Sequence, residues 1–81
     1  MTETEIYSTL NEVFSEIFMR DDIVLTATTT AADINGWDSF RQIEIVMAAE
    51  ERYDIKFQTR EIDNLKNVGD LVRTIAAKVG S

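Results

Sequence analysis

INGWDSFRQIEIVMAAEE, residues 34–51, is the stretch on which the fold is decided. Gly36, Trp37 and Asp38 lead into a single serine, Ser39, and a run with helical spacing follows. Asp38 or Ser39 can act as N-cap, because either side chain offers an oxygen to an unpaired backbone N–H. At 100° per residue, Ile45, Val46, Ala49 and Tyr53 fall on one face, which is the simplest core face. Phe40, Ile43 and Met47 fall on another side, roughly opposite Ile45, with Glu44 and Glu51 beside them. A surface helix of a small bundle needs only one apolar stripe. The second stripe therefore means either a helix buried on two sides or an exposed contact surface rimmed by acids.

Working outward, Ile6, Leu10, Val13, Phe14 and Ile17 lie within about 100° of one another and predict a first helix over residues 4–19. Residues 20–37 have no clear period and include the β-branched run TATTT. No partner strand is evident, so they are read as an extended loop, with Ile23, Leu25 and Ile34 as anchors on the core. The second helix spans 39–53, and Ile55 and Phe57 anchor the chain as it leaves. Thr59 opens a short helix around 60–65. Asn67 with Asp70 three residues on resembles a capping box with Asp in place of Glu. It starts a last helix in which Val68, Leu71, Val72, Ile75 and Val79 share a stripe to the C-terminus. The expectation is an all-α, small four-helix bundle, three main helices and one short one, formed as a single domain over 1–81.

An 81-residue chain allows one small domain, burying about 60–65% of its unfolded surface. A hydrophobic content of 44% supports a packed core. The 15 acidic and 8 basic residues give a net charge of −7, which argues against nucleic acid and anionic membrane as partners and favours basic docking patches. The absence of cysteine excludes disulfides and thiolate catalysis and fits a reducing cytoplasm. The N-terminal stretch is acidic without a signal-like apolar run, and no segment approaches the roughly 18 apolar residues of a membrane span. A monomer is expected.

Catalysis by Ser39 requires a base, and the chain has no histidine; only a distant Lys56 or Lys66 offers a Ser–Lys arrangement. An EF-hand register with Gly36 at the sixth loop position puts Ala31 at the first and Gln42 at the twelfth, where calcium needs carboxylates. Paired acids such as Asp21–Asp22 and Glu50–Glu51 lack an evident sugar-binding cleft and read as a solvated face. A serine at a helix start needs no local base if another enzyme attaches a phosphate-linked group to it, since the helix N-terminus favours a phosphodiester. The plain alternative is that Ser39 is only the cap.

The stretch DSFRQIEIVMAAEERYDIKF resembles the signature of the acyl carrier protein family. Asp38-Ser39-Phe40 corresponds to D-S-L, Ile43 to Met47 to the apolar-Glu-apolar-apolar-Met run, and Glu50, Glu51 and Tyr53 to its end. Asp33-Ile34 is similar to the D-L pair before the motif, and NVGDLVRTI to the start of the last helix. The resemblance implies 4′-phosphopantetheine on Ser39, transferred from coenzyme A by a phosphopantetheinyl transferase, with Asp38 helping to position the site. The thiol of that arm bears acyl groups as thioesters, so the protein is a carrier and not an enzyme. Phe40, Arg41, Ile43, Glu44, Met47, Glu50 and Glu51 form the expected docking surface for acyl-transferring or acyl-activating enzymes with basic patches.

Departures from the family pattern are Trp37 in place of a smaller aliphatic residue, Phe40 for Leu, Arg41 where an acid is frequent, and Ala49 for Leu. They point to a specialised free-standing carrier in lipid, polyketide or secondary-metabolite synthesis. The alternatives are a peptidyl or aminoacyl carrier, whose preceding Gly-Gly is absent here, and an unmodified interaction domain.

Overall fold

Thr2 and Glu5 satisfy each other's backbone at the start of the chain. Thr2 N–H donates to Glu5 Oε1 at 2.9 Å, and Glu5 N–H donates to Thr2 Oγ1 at 3.2 Å. This reciprocal cap starts α1, Glu3–Phe18, whose first-turn acids also suit the positive helix end. A computed structural model of the chain describes residues 2–79. Ile6, Leu10, Val13 and Phe14 are buried along one stripe of α1. The helix ends one residue earlier than its apolar pattern suggested, because Met19 turns left-handed at φ 54° and Arg20 N–H closes on Ser15 O at 3.1 Å.

Three further helices follow: α2 Ser39–Tyr53, α3 Thr59–Asp63 and α4 Val68–Val79. Helix α1 packs on α2 and α4, and α2 also meets α4. Ile45, Val46 and Ala49 from α2 join Leu71, Val72 and Ile75 from α4 in the core. The expected four-helix, all-α architecture is what forms. The radius of gyration, 11.5 Å, is close to the roughly 12 Å of a compact chain of this length, so the long α1–α2 connection lies against the bundle.

That connection is more ordered than the extended loop read from the sequence. Ile23 and Ile34 are its buried anchors and Leu25 is half-buried, as expected. The threonine run folds into a turn: Thr29 N–H donates to Thr26 O at 3.1 Å, and Thr26 N–H to Thr29 Oγ1 at 2.9 Å. A 3-10 turn, Ala31–Asp33, follows. Its start is held by Thr30 N–H on Asp33 Oδ2 at 2.9 Å. Periodicity could not reveal a turn of three residues.

The same loop closes the first turn of α4. Val68 N–H donates to Thr29 O at 2.8 Å and Gly69 N–H to Ala27 O at 3.0 Å, satisfying amides that a helix start leaves unpaired. Asn67 caps Asp70 N–H at 2.8 Å, but the Asp70 carboxylate reaches back to Lys66 N–H at 3.1 Å. The Asn67 half of the expected box thus forms, and the reciprocal bond falls one residue earlier, on Lys66. Gly69 is required here by space: a Cβ at that position would stand 2.7 Å from Ala27 O.

The short helix also begins earlier than expected, with Gln58 as its N-cap and Thr59 already inside it. Glu61 secures it by accepting Gln58 N–H at 2.7 Å and Lys78 Nζ at 3.0 Å. Phe57 is buried and Ile55 half-buried, so both anchor as anticipated. The stripe of the last helix reaches Val79; Gly80 and Ser81, included in the expected run to the C-terminus, lie outside the described residues.

Candidate functional site

Asp38, extended at φ −115° and ψ −171°, is the residue that caps α2. Its Oδ1 accepts Arg41 N–H at 2.9 Å and its carbonyl accepts Gln42 N–H at 2.9 Å. The sequence left the cap open between Asp38 and Ser39; the extended backbone at Asp38 resolves the choice. Ser39 is consequently the first helical residue. Its side chain is exposed and forms no hydrogen bond among the described residues. The backbone N–H groups of Ser39 and Phe40 likewise have no protein acceptor among the described residues. Ser39 thus offers a free primary alcohol beside two open amides at the positive end of a 15-residue helix.

Trp37 closes the core behind this alcohol. Its ring stands edge-on to buried Phe14, with centroids 5.1 Å apart and planes at 81°, a favourable aromatic geometry. Its indole N–H donates to Gln42 Oε1 at 2.8 Å, and its backbone N–H to Ile34 O at 3.2 Å. Gly36, at φ 93°, makes the sharp approach. Trp37, Ser39 and Gln42, with Ile43 of α2 and Ile62 and Leu65 from the α3 side, border a groove of about 460 Å³. Of these, Gln42, Ile62 and Leu65 were not singled out from the sequence. Gln42 becomes legible only once the indole is known to be half-buried, because its N–H then needs an acceptor nearby.

The two stripes of α2 differ in fate. Ile45 is 1% exposed and Ala49 0%, whereas Phe40 is 70%, Ile43 47% and Met47 61% exposed. The second stripe is thus surface, and burial on two sides is excluded. Arg41 pairs with Glu44 at 2.5 Å on the flank of this stripe, so the extra positive charge is already partly offset. Glu51 is exposed near the far end of α2. Glu50 instead turns toward the following loop, where its Oε2 accepts Phe57 N–H at 2.7 Å. Arg52 reaches across to α1, contacting Glu16 at 3.1 Å and Glu12 at 3.9 Å.

Comparison with known proteins agrees with this geometry. The family described as "Phosphopantetheine attachment site" matches residues 8–75. An acyl carrier protein of Exiguobacterium sp. is 32% identical over 79 residues, covering 98% of this chain and all of that one. One from Acidothermus cellulolyticus is 32% identical over 76 residues, covering 94% of this chain and 90% of its own. The solution structure of a holo acyl carrier protein from Geobacter metallireducens superposes with a TM-score of 0.86 at 39% identity, over 91% of this chain and 85% of that one. With an exposed, unbonded serine at the head of its second helix, the chain belongs to the acyl carrier protein family, whose prosthetic group is phosphopantetheine.

Proposed function

We propose that Ser39 is the residue that carries the phosphopantetheine arm and that the chain acts as one carrier domain, passing acyl intermediates between biosynthetic enzymes. The observation that carries this reading is the division of labour at the helix start: Asp38 takes the cap, which frees the Ser39 hydroxyl. The residues present fit the group. The alcohol is exposed, the amides of Ser39 and Phe40 suit an anionic phosphate, and the adjoining groove offers apolar walls. When bound, the arm supplies the thiol on which the cargo travels.

Attachment is the work of an external transferase; the chain has no histidine, and no lysine stands near Ser39 in the sequence. The Ser39 oxygen bonds to the phosphorus of coenzyme A that bears the pantetheine. The adenosine bisphosphate portion leaves, and the hydroxyl proton passes to the transferase. Asp38 holds the helix start, so that the oxygen and the two open amides keep a fixed relation. Phe40, Ile43 and Met47 supply an apolar contact surface to the transferase and to successive enzymes, with Glu44 and Glu51 steering basic patches toward it. Such rim charges act on encounter rate and orientation more than on affinity, which suits a carrier that must release each enzyme. A reducing compartment such as the cytoplasm accords with a chain without cysteine.

The test is incubation with coenzyme A and a promiscuous phosphopantetheinyl transferase, followed by intact mass measurement. The wild-type chain gains one arm and Ser39→Ala gains none. No gain with any of several transferases would sink the assignment.

A further inference from the structure

We propose that Trp37 and Gln42 form a fixed wall between the attachment point and the core, which confines the cargo to the α2–α3 groove and selects short acyl groups bearing a hydrogen-bonding substituent. This rests on Ser39 being the attachment residue.

Trp37 touches both sides of the boundary. One side of its ring environment is Phe14, which is fully buried, and the other is the groove that also borders Ser39. The indole is held by the edge-on contact with Phe14, by its N–H on Gln42 Oε1 at 2.8 Å and by its backbone N–H on Ile34 O. A chain entering the core past Phe14 has to displace this ring. That would strip the indole N–H of its acceptor in a half-buried setting, a cost that alkyl burial must first overcome.

The orientation of Gln42 follows from chemistry. An indole nitrogen can only donate, so the amide oxygen of Gln42 faces Trp37 and its NH2 group is turned away. That NH2 has no acceptor among the described residues. It is available to a carbonyl or hydroxyl oxygen in the groove. Ile43, Ile62 and Leu65 offer apolar contact around it, and Asp38 and Asp63 add carboxylates to the groove. A long alkyl chain lying in an open groove keeps much of its surface in water and gains little. A short chain with one polar group uses both kinds of lining.

The experiment transfers the arm together with acetyl, β-hydroxybutyryl or octanoyl groups from their coenzyme A thioesters, using a promiscuous transferase. Intact mass reports whether arm and cargo arrive. NMR then reports where the cargo lies, from the Trp37 indole N–H and the Ile62 and Leu65 methyls on the groove and from the Ile45 and Ile75 methyls in the core. In the wild-type protein, β-hydroxybutyryl shifts the groove signals, and octanoyl leaves the Ile45 and Ile75 methyls in place. In Trp37→Ala, octanoyl moves those core methyls and raises Tm by about 4–8 °C, the scale on which modest added burial acts in a small domain. Gln42→Ala keeps the aromatic contact and unlatches the ring; it shows the same change more weakly and serves if Trp37→Ala does not fold. Octanoyl shifting the core methyls of the wild type, or equal behaviour of wild type and both variants, overturns the wall while leaving the arm on Ser39 intact. Absence of any mass gain overturns the attachment residue and the wall with it.

Discussion

Asp38 and Arg41 are joined by a hydrogen bond from the Arg41 backbone N–H to Asp38 Oδ1 at 2.9 Å, and that bond leaves the neighbouring Ser39 hydroxyl with nothing to cap. With Ser39 as the proposed attachment residue, stability and modification fall to two adjacent residues. Asp38→Ala should cost about 1 kcal/mol, the usual worth of an N-cap, and Asp38→Asn much less. Ser39→Ala should change stability by no more than about 0.5 kcal/mol, as expected for a surface position without partners, while abolishing attachment of the arm. Urea unfolding of the three variants beside their intact masses checks the division. A large loss of stability in Ser39→Ala would return the capping role to the serine.

Gly69 should tolerate no side chain. An added Cβ meets Ala27 O at 2.7 Å, against backbone that also accepts the Gly69 N–H. Either the loop moves and that hydrogen bond is lost, or the start of α4 shifts. Helix propensity alone would favour alanine by up to about 1 kcal/mol. Overpacking costs about 1–3 kcal/mol, and the lost hydrogen bond adds to it. Gly69→Ala should thus be destabilising on balance by about 1–2 kcal/mol in urea unfolding. A stabilised variant would show that the loop yields freely.

Acid should weaken the fold through its capping carboxylates. The Glu61 carboxyl is held below its ordinary pKa first by Gln58 N–H and then by Lys78, and Asp70 first by Lys66 N–H. Glu5 is lowered by Thr2 N–H, and Asp22 by the Arg20 guanidinium. A depressed folded-state pKa contributes stability above the unfolded value, and that contribution disappears as pH falls through the folded value. Tm should therefore be flat in these groups above the ordinary carboxylate range near pH 4 and decline below it. Glu61→Gln retains an oxygen for Gln58 N–H and loses the titration, so its Tm should fall less steeply between pH 5 and about pH 2–3. Glu5 and Asp22 are exposed and Glu61 and Asp70 half-buried, and added salt should reduce the part due to ion pairs.

Charge on the outer flank of α2 should act on encounter, with opposite signs at two paired residues. Arg41 offsets Glu44 through their 2.5 Å contact. Arg41→Ala should unmask Glu44 and speed association with a basic transferase several-fold at low ionic strength. Glu44→Lys should slow it by a similar factor, and Glu51→Lys likewise. Stopped-flow association at low and high salt tests this, because screening should shrink all three effects. Rates that ignore salt would remove these residues from the docking surface.

What the sequence disclosed and what it concealed differ by range. The apolar stripes of α1, α2 and α4 are local periodicities, and they appear in the fold within a residue or two of the expected bounds. Exposure of Phe40, Ile43 and Met47 was legible as a second stripe, although the pattern alone did not separate a surface from a second buried face. The contacts of Ala27 and Thr29 with the start of α4 join residues about forty apart and leave no periodic trace. The choice of Asp38 over Ser39 as cap depended on backbone angles, since both carry a suitable oxygen. The Trp37–Gln42 bond spans only five residues, but it required knowing that the indole is half-buried beside Phe14. Glu50 was read as one of a run of surface acids; its inward hydrogen bond depends on where the loop after α2 returns.

Glu50 offers a clean separation of structure from docking. Its Oε2 accepts Phe57 N–H at 2.7 Å, and Phe57 is a buried anchor that also carries the Lys78 ammonium 5.7 Å above its ring centre. Glu50→Ala leaves the Phe57 N–H without that acceptor and should cost about 1–3 kcal/mol. It should also loosen α3, because Lys78 ties Phe57 and Glu61 together. Glu50→Gln preserves an oxygen acceptor and removes the charge, so it should restore most of the lost stability. If Glu50 is purely structural, Glu50→Gln leaves transferase association unchanged at low salt, and Glu50→Ala shows faster hydrogen exchange across α3. If the carboxylate also guides partners, Glu50→Gln slows association without destabilising the fold. Urea unfolding and association kinetics on the same two variants distinguish these outcomes, because the hydrogen bond responds to the acceptor oxygen whereas steering responds to the charge.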